Sequence, residues 1–466
     1  MKNQKSAGTG GFVPGKPGRR SGGTGQPLLG DPSDGIDPYL PGNGNLGYHV
    51  SRYDLDLEYK VSTNRLAGTA VITATTVSTL GRLSLDLSNS LKVDRVTVNG
   101  EKVRRFSHRN RKLTITMATD LPAGGVMTIL VKYAGNPRPI RGRWGDVGWE
   151  ELTEGSLVAS QPNGAASWYP CDDHPTSKAA YGISITTDTP FMAVANGVLI
   201  RKRIKAAQTT WVYEQVEPMA SYLATIQVGQ YTRKTLTTRP VPIHAVFPPA
   251  LRRNVEHDFA KQRQMMDAFV DMFGPYPFPE YSVVITDDEL EIPIEAQGMS
   301  IFGANHCDGS GSYERLVAHE LAHQWFGNSL TLNRWKHIWL HEGFACYSEW
   351  LWSEYSGGLT AEAHARKYYD RLAASPVDLI IGDPGPDRMF DDRVYKRGAL
   401  TLHALRKQVG DDKFFDLLRE WTRQYRYSSV TTEDFTGLAA RFSPHPLNDL
   451  WDKWLGQRSL PMYPGL

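Results

Sequence analysis

Cysteine is scarce. The chain has three, Cys171, Cys307 and Cys346, odd in number and far apart. They offer neither a disulfide framework nor a C-x-x-C pair, and a reducing, cytoplasmic compartment is the simpler expectation. Excess charge is missing too: 52 Lys and Arg against 50 Asp and Glu leave a formal net charge of +2. So weak a field gives no reason to expect nucleic acid or an anionic membrane as partner. No apolar run approaches the roughly 20 residues that a membrane span requires. Lys2, Lys5, Arg19 and Arg20 are followed by no apolar core and small-residue cleavage site, which argues against a secretory signal. Residues 1–45 are rich in Gly, Pro and Ser and poor in apolar side chains. Such a stretch cannot offset its ordering entropy, and it is expected to be a flexible tail.

The remainder has a globular composition, 40% hydrophobic and 22% charged over a chain of 466 residues. That length suits two or three domains. From Tyr48 the pattern has period two. Tyr53, Leu55, Leu57 and Tyr59 alternate with Asp54, Asp56 and Glu58, as a strand with one buried face requires. Leu83, Leu85 and Leu87 repeat the signal, as do Leu113, Ile115 and Met117. Asn99-Gly100 after Val96 and Val98 reads as a two-residue hairpin turn. Residues 46–238 are therefore expected to form an antiparallel β domain. After Pro240 the period becomes helical: Phe259, Met265, Met266, Phe269, Met272 and Phe273 share a face, and Gly274-Pro275 stops the run. Residues 239–466 are expected to be mainly helical, with a short strand at 282–286 and helices near 313–326, 340–355, 398–409, 412–425 and 432–441. The fold class is α+β, in two domains.

Residues 319–323 read His-Glu-Leu-Ala-His. On a helix, positions i and i+4 lie one turn apart on one face, so His319 and His323 can point at one metal ion. Glu320 sits beside them and can reach a water instead. Ser312 is expected to cap this helix, Leu316, Val317, Leu321 and Trp325 to form its apolar stripe, and Gly327 to end it. A five-residue motif arises by chance often enough to need support. Glu342, 18 intervening residues beyond His323, supplies it if a second helix returns beside the first. Two histidines and one carboxylate leave a coordination position open, the arrangement of a catalytic rather than a structural zinc site. Glu349, seven residues further on, shares Glu342's helical face; it either orients a ligand or is an ordinary solvated glutamate.

At this point the chain resembles the aminopeptidase N family of gluzincin metallopeptidases. Residues 317–328, Val-Ala-His-Glu-Leu-Ala-His-Gln-Trp-Phe-Gly-Asn, are similar to the family's zinc helix. Residues 339–345 resemble its W-L-N-E-G-F-A segment, with His341 in place of Asn. Residues 394–400 resemble its Y-x-x-G-A segment, which implies that Tyr395 donates a hydrogen bond to the oxyanion of the tetrahedral intermediate. Residues 293–302 stand where the family has G-A-M-E-N. Glu295 takes the place of the glutamate that binds the substrate's free α-amino group, Ala296 replaces the Asn, and Glu289 and Glu291 are nearby competitors. Gln161, ahead of the segment Trp168-Tyr169-Pro170-Cys171, resembles the β-domain residue that reaches into the cleft, where many relatives carry Glu. Cys171 and His174 read as structural.

The resemblance implies a saddle-shaped β domain, a thermolysin-like catalytic domain and one zinc ion per chain. It also implies cleavage of the N-terminal peptide bond of peptides with a free N-terminus, by a metal-activated water with Glu320 as general base. Leu447 to Leu455 looks like the end of the catalytic domain, so the large C-terminal helical domain of many members is expected to be missing. Three alternatives remain: a bifunctional enzyme with epoxide hydrolase activity, as in the leukotriene hydrolase branch, a non-catalytic scaffold, and an endopeptidase, for which Glu295 would be dispensable.

Overall fold

The alternating segments become strands with their apolar faces inward. In the strand Tyr48–Lys60, Tyr53, Leu55, Leu57 and Tyr59 are buried while Asp56 and Glu58 face solvent. A computed structural model describes residues 36–463. Its largest sheet has eight strands, in the order Val198–Lys205, Gln208–Ala220, Lys178–Asp188, Tyr48–Lys60, Arg65–Thr76, Val126–Gly135, Leu91–Val98 and Glu101–Lys102. Asn99 and Gly100 both adopt positive φ, 53° and 83°, and close the expected hairpin between the last two strands. The pairings are antiparallel except between Tyr48–Lys60 and Lys178–Asp188, which run parallel with Leu55 opposite Ile183. Period two marks a strand's buried face and leaves its neighbour's direction open, so the pattern carries no sign of this one departure. The Leu83 and Ile115 segments pair in a separate three-stranded sheet, Leu83 opposite Ile115.

The second half opens on a five-stranded mixed sheet ordered Thr232–Thr237, Ile243–Phe247, Tyr281–Ile285, Met299–Phe302 and Ile294–Ala296. Thr232–Thr237, on the N-terminal side of position 238, hydrogen-bonds to Ile243–Phe247 on the other. The α-helices that follow the sheet's second strand are α1 (Arg252–Asp258), α2 (Gln262–Phe273), α3 (Glu314–Ala322), α4 (Trp339–Tyr355), α5 (Ala361–Ala373), α6 (Asp392–Val409), α7 (Asp411–Gln424), α8 (Thr432–Ala439) and α9 (Asn448–Trp451). Gly274, at φ 92°, ends α2 as expected. The helix α5 lies outside the expected set although Thr360 caps it, its side chain accepting from the Ala363 amide. Its many charged and small residues dilute the apolar stripe on which periodicity depends.

Two local expectations are corrected. Ser312 does not cap α3: the residue before the helix is Tyr313, with no side-chain cap, and the Ser312 hydroxyl pairs with Ser310. Residues 36–45 of the expected tail are held in place, while residues 1–35 lie outside the described residues. The buried Asp37 carboxylate accepts from the Trp335 amide at 2.7 Å, and the Tyr39 hydroxyl donates to Asp383. Three polar anchors offset an entropy cost that composition alone would leave unopposed: Asp37, Tyr39 and the Gly44 amide on Asp86.

Candidate metal centre and active site

Three elements meet at the site. The helix α3 supplies His319 and, just past its end, His323. Its hydrogen bonds continue to Phe326, with the His323 amide donating to the His319 carbonyl at 3.2 Å, so the two imidazoles stay one turn apart. Helix α4 packs beside α3 and brings in Glu342, and α6 crosses α4. At that crossing Gly343 faces Gly398, and a Cβ on either would come within 2.9 Å of the other's backbone. A real Cβ does not tolerate that approach, so the two glycines let the helices touch and carry Tyr395, on the first turn of α6, to the candidate ligands.

The candidate ligand atoms converge. Nε2 of His319 and Nε2 of His323 each lie 3.5 Å from the same Glu342 oxygen. The other ring nitrogens are occupied: Nδ1 of His319 donates to Glu349 at 2.7 Å, and Nδ1 of His323 to the Phe326 carbonyl at 3.0 Å. Those bonds place the proton on Nδ1 in each neutral ring and leave Nε2 free to coordinate. Of the two readings of Glu349, the burial and partners here match the orienting one, for its carboxylate is buried and also accepts from Arg315 at 3.0 and 3.1 Å.

Burial disfavours charge on His319, yet its hydrogen bonds to Glu342 and Glu349 win and push it up to about 9. His323 is likewise opposed by burial but carried to about 10 by Glu295 and Glu342. Burial would raise Glu342, but His323 and His319 hold it well below the usual carboxylate range. The pocket thus gathers positive charge between carboxylates, and a divalent cation can take the place of the imidazole protons. Two imidazole nitrogens and one carboxylate are a donor set that fits zinc.

Glu320 does not join the trio. It is buried, one carboxylate oxygen has no partner among the described residues, and burial pushes its pKa up to about 7 against the pull of His319 and His323. Glu295 sits on the edge strand Ile294–Ala296, with a carboxylate oxygen within 4.8 Å of ligand atoms of Glu320 and His323. Gln161 reaches it from the β domain, its amide donating to Glu295 at 2.7 Å. The competitors Glu289 and Glu291 are exposed on the preceding loop. The Tyr395 ring lies nearly parallel to that of His319, centroids 6.2 Å apart. Burial, then Glu342, Glu295 and Glu320, hold its hydroxyl well above the usual value, so it stays a hydrogen-bond donor.

Two models of known domains match the chain: the peptidase M1 N-terminal domain over residues 49–223 and the peptidase family M1 domain over residues 257–454. The chain belongs to peptidase family M1. This M1 chain is 29% identical, over 317 residues, to aminopeptidase M1-B of Oryza sativa subsp. japonica, an alignment covering 63% of this chain and 36% of the relative. It is 25% identical, over 451 residues, to glutamyl aminopeptidase of Rattus norvegicus, covering 88% of this chain and 47% of that one. The chain therefore spans a third to a half of the length of these relatives. It matches the crystal structure of the M1 zinc metallopeptidase of Deinococcus radiodurans with a TM-score of 0.84 and 29% identity, over 92% of this chain and 98% of that one. A mutant of that enzyme has been solved bound to a Tyr-Ser-Ala substrate. The native yeast LTA4 hydrolase, at 20% identity and a TM-score of 0.76, shares the fold.

Within the M1 framework some contributors escape sequence reasoning. Arg315 on α3 pairs with Glu349. Lys178 crosses from the β domain and donates to the carbonyls of Asn328 and Ser329, where the zinc-helix motif ends, at 3.1 and 2.8 Å. Gln324 and Asn328 lie inside the motif but obey no spacing rule that would single them out. His341, the departure from the family's Asn, is buried; its Nε2 accepts from the Leu332 amide at 2.8 Å and burial lowers its pKa to about 3. Cys171 is a buried thiol whose backbone bridges to Asp86, and His174 pairs with Thr176. Among the described residues no helix is long and apolar enough to cross a membrane.

Proposed function

We propose that this chain is a zinc-dependent aminopeptidase that hydrolyses the N-terminal peptide bond of peptides with a free N-terminus. The observation that carries the reading is the closeness of two carboxylates with different tasks. Glu320 and Glu295 both approach His323, but from a helix and from a sheet edge respectively. His319, His323 and Glu342 would hold the zinc ion, which supplies Lewis acidity to the scissile carbonyl and to water when bound.

The protein's own groups account for the rest. The Glu320 carboxylate, desolvated and with a pKa near 7, takes the proton of the attacking water and returns it to the leaving amine. The Tyr395 hydroxyl, kept protonated, donates to the developing oxyanion. Glu295 receives the substrate's ammonium group, and Gln161, already bonded to Glu295, lends its amide oxygen as a second acceptor. Fixing the amine there fixes which peptide bond reaches Glu320, which makes the enzyme an exopeptidase. The three cysteines, all free and buried, suit a reducing compartment such as the cytoplasm.

The test is mass spectrometry of a short peptide incubated with the purified protein, beside the same peptide acetylated at its N-terminus. Stepwise loss of N-terminal residues from the free peptide alone is expected. Cleavage of both would leave a peptidase and remove the exopeptidase assignment. Cleavage of neither, with zinc supplied, would remove the enzyme.

A further inference from the structure

Glu295 occupies a precarious position. Its strand, Ile294–Ala296, has three residues, lies at the edge of the sheet and follows a loop in which Glu289, Glu291 and Ile292 are exposed. A short edge strand pairs on one side only, so its register relies on contacts from outside the sheet. The clamp that holds its far end comes from the zinc helix. Gln324, buried and next in sequence to His323, uses every polar atom of its side chain on the turn between Ala296 and Met299. Its Nε2 donates to the Ala296 carbonyl at 3.1 Å and to the Met299 carbonyl at 3.3 Å, and its Oε1 accepts from the Gly298 amide at 2.8 Å. Asn328 adds a second donor to the Ala296 carbonyl at 2.9 Å. The β domain braces the same turn, Asn196 donating to the Gln297 carbonyl and the Gln297 amide to the Glu217 carbonyl.

We infer that Gln324 is the positioning residue that sets the distance between the amine-binding carboxylate and the metal, and thereby the exopeptidase register. The inference rests on the proposed role of Glu295. The physical link is short: Glu295 and Ala296 are neighbours, as are Gln324 and His323, and one side-chain amide joins the pairs. A neutral amide suits this task because it satisfies two carbonyls and one amide at once, which a carboxylate or an ammonium group cannot do. The arrangement also accounts for the tolerance of Ala296 where the family has Asn, because the clamp grips the backbone carbonyl of that residue. A misplacement of about 1 Å at a reacting centre costs roughly 10²-fold, so a clamp on the anchor governs selectivity without touching the substrate.

The test compares two inhibitors: an amino acid hydroxamate, and the same hydroxamate without its amine. Both ligate the metal, and one alone engages Glu295. In the parent protein the amine is expected to tighten binding. Gln324→Met should shrink that preference by about 10-fold or more, with the desamino compound's Ki within about 2-fold of the parent's and the zinc content unchanged. Gln324→Glu, which burial holds neutral at this position, keeps the acceptor for Gly298 and one O–H donor for the two carbonyls; it should give an intermediate preference and stands in if the Met variant does not fold. A preference unchanged in these variants would overturn the role, as would equal weakening of both inhibitors, which is the signature of a general packing defect. A parent protein without any preference would instead refute Glu295 as the amine anchor, and this role with it.

Discussion

Replacing Glu349 by Gln isolates what a buried charge beside the proposed metal ligand His319 contributes. The substitution keeps the side chain's size and leaves one oxygen able to accept from Nδ1 of His319, now at 2.7 Å from a carboxylate. A hydrogen bond to a charged group is worth about 1.5–3 kcal/mol and a neutral one about 0.5–1.5, so the change removes about 1–1.5 kcal/mol. The Arg315 bonds add little, because that side chain is 52% exposed and its pair with Glu349 is screened on one side. At about 1.4 kcal/mol per decade, zinc should bind about 10-fold more weakly. Glu349→Ala, which also frees the ring to rotate, belongs near the 100-fold end of the range for partners behind a ligand. The assay is competition with a chelator of known affinity, following zinc transfer, with kcat measured at saturating zinc as a control. Zinc affinity within about 2-fold of the parent's in both variants would refute the reasoning, since a glutamate that only packs would move stability and leave the metal alone.

Glu320→Gln should retain zinc and lose about 10²–10⁴-fold in kcat, since a proton carrier is removed while the ligand set stays; near-parent turnover in a steady-state assay would sink the assignment. Tyr395→Phe should lower kcat by about 10²–10³-fold with KM little changed, as fits a donor used in the transition state, and a rise confined to KM would count against it. Lys178 links acidity to stability. Burial lowers its pKa from 10.5 to about 7, so the folded state sheds this proton before the unfolded state does. The penalty is therefore fully present below pH 7 and is relieved as the pH rises toward 10.5, by up to about 1.4 kcal/mol per unit. Two hydrogens on the neutral amine still satisfy the Asn328 and Ser329 carbonyls. The thermal midpoint of the parent should accordingly gain on that of Lys178→Met between pH 7 and 9, and a pH-independent gap would contradict this account.

Several features are legible in the sequence because they depend on neighbours in the chain. Alternation at Tyr53–Tyr59 needs only the two-residue repeat of a strand, and Asn99-Gly100 needs only the positive φ values its turn imposes. His319 and His323 follow from the pitch of one helix, since a separation of four residues is a spatial statement by itself. Local sequence misleads at Ser312 and is silent at α5: the Ser312 hydroxyl is taken by Ser310, and few apolar residues mark α5.

What the sequence by itself determined, then, is whatever one turn, one strand or one helix face can express. It separated a β half from a helical half and proposed a metal-binding pair with a third carboxylate. The tertiary structure alone decided which distant groups meet. It brought Glu295 beside Glu320 and His323 and left Glu289 and Glu291 exposed, buried Glu349 behind His319, and set Tyr395 beside His319 through the crossing of Gly343 and Gly398. It ran Tyr48–Lys60 parallel to Lys178–Asp188 and gave Gln324 three backbone partners on a turn more than twenty positions away. Periodicity reports which face of an element is buried and is silent about what lies across from it; that depends on packing among elements far apart in the chain, where no local spacing rule reaches.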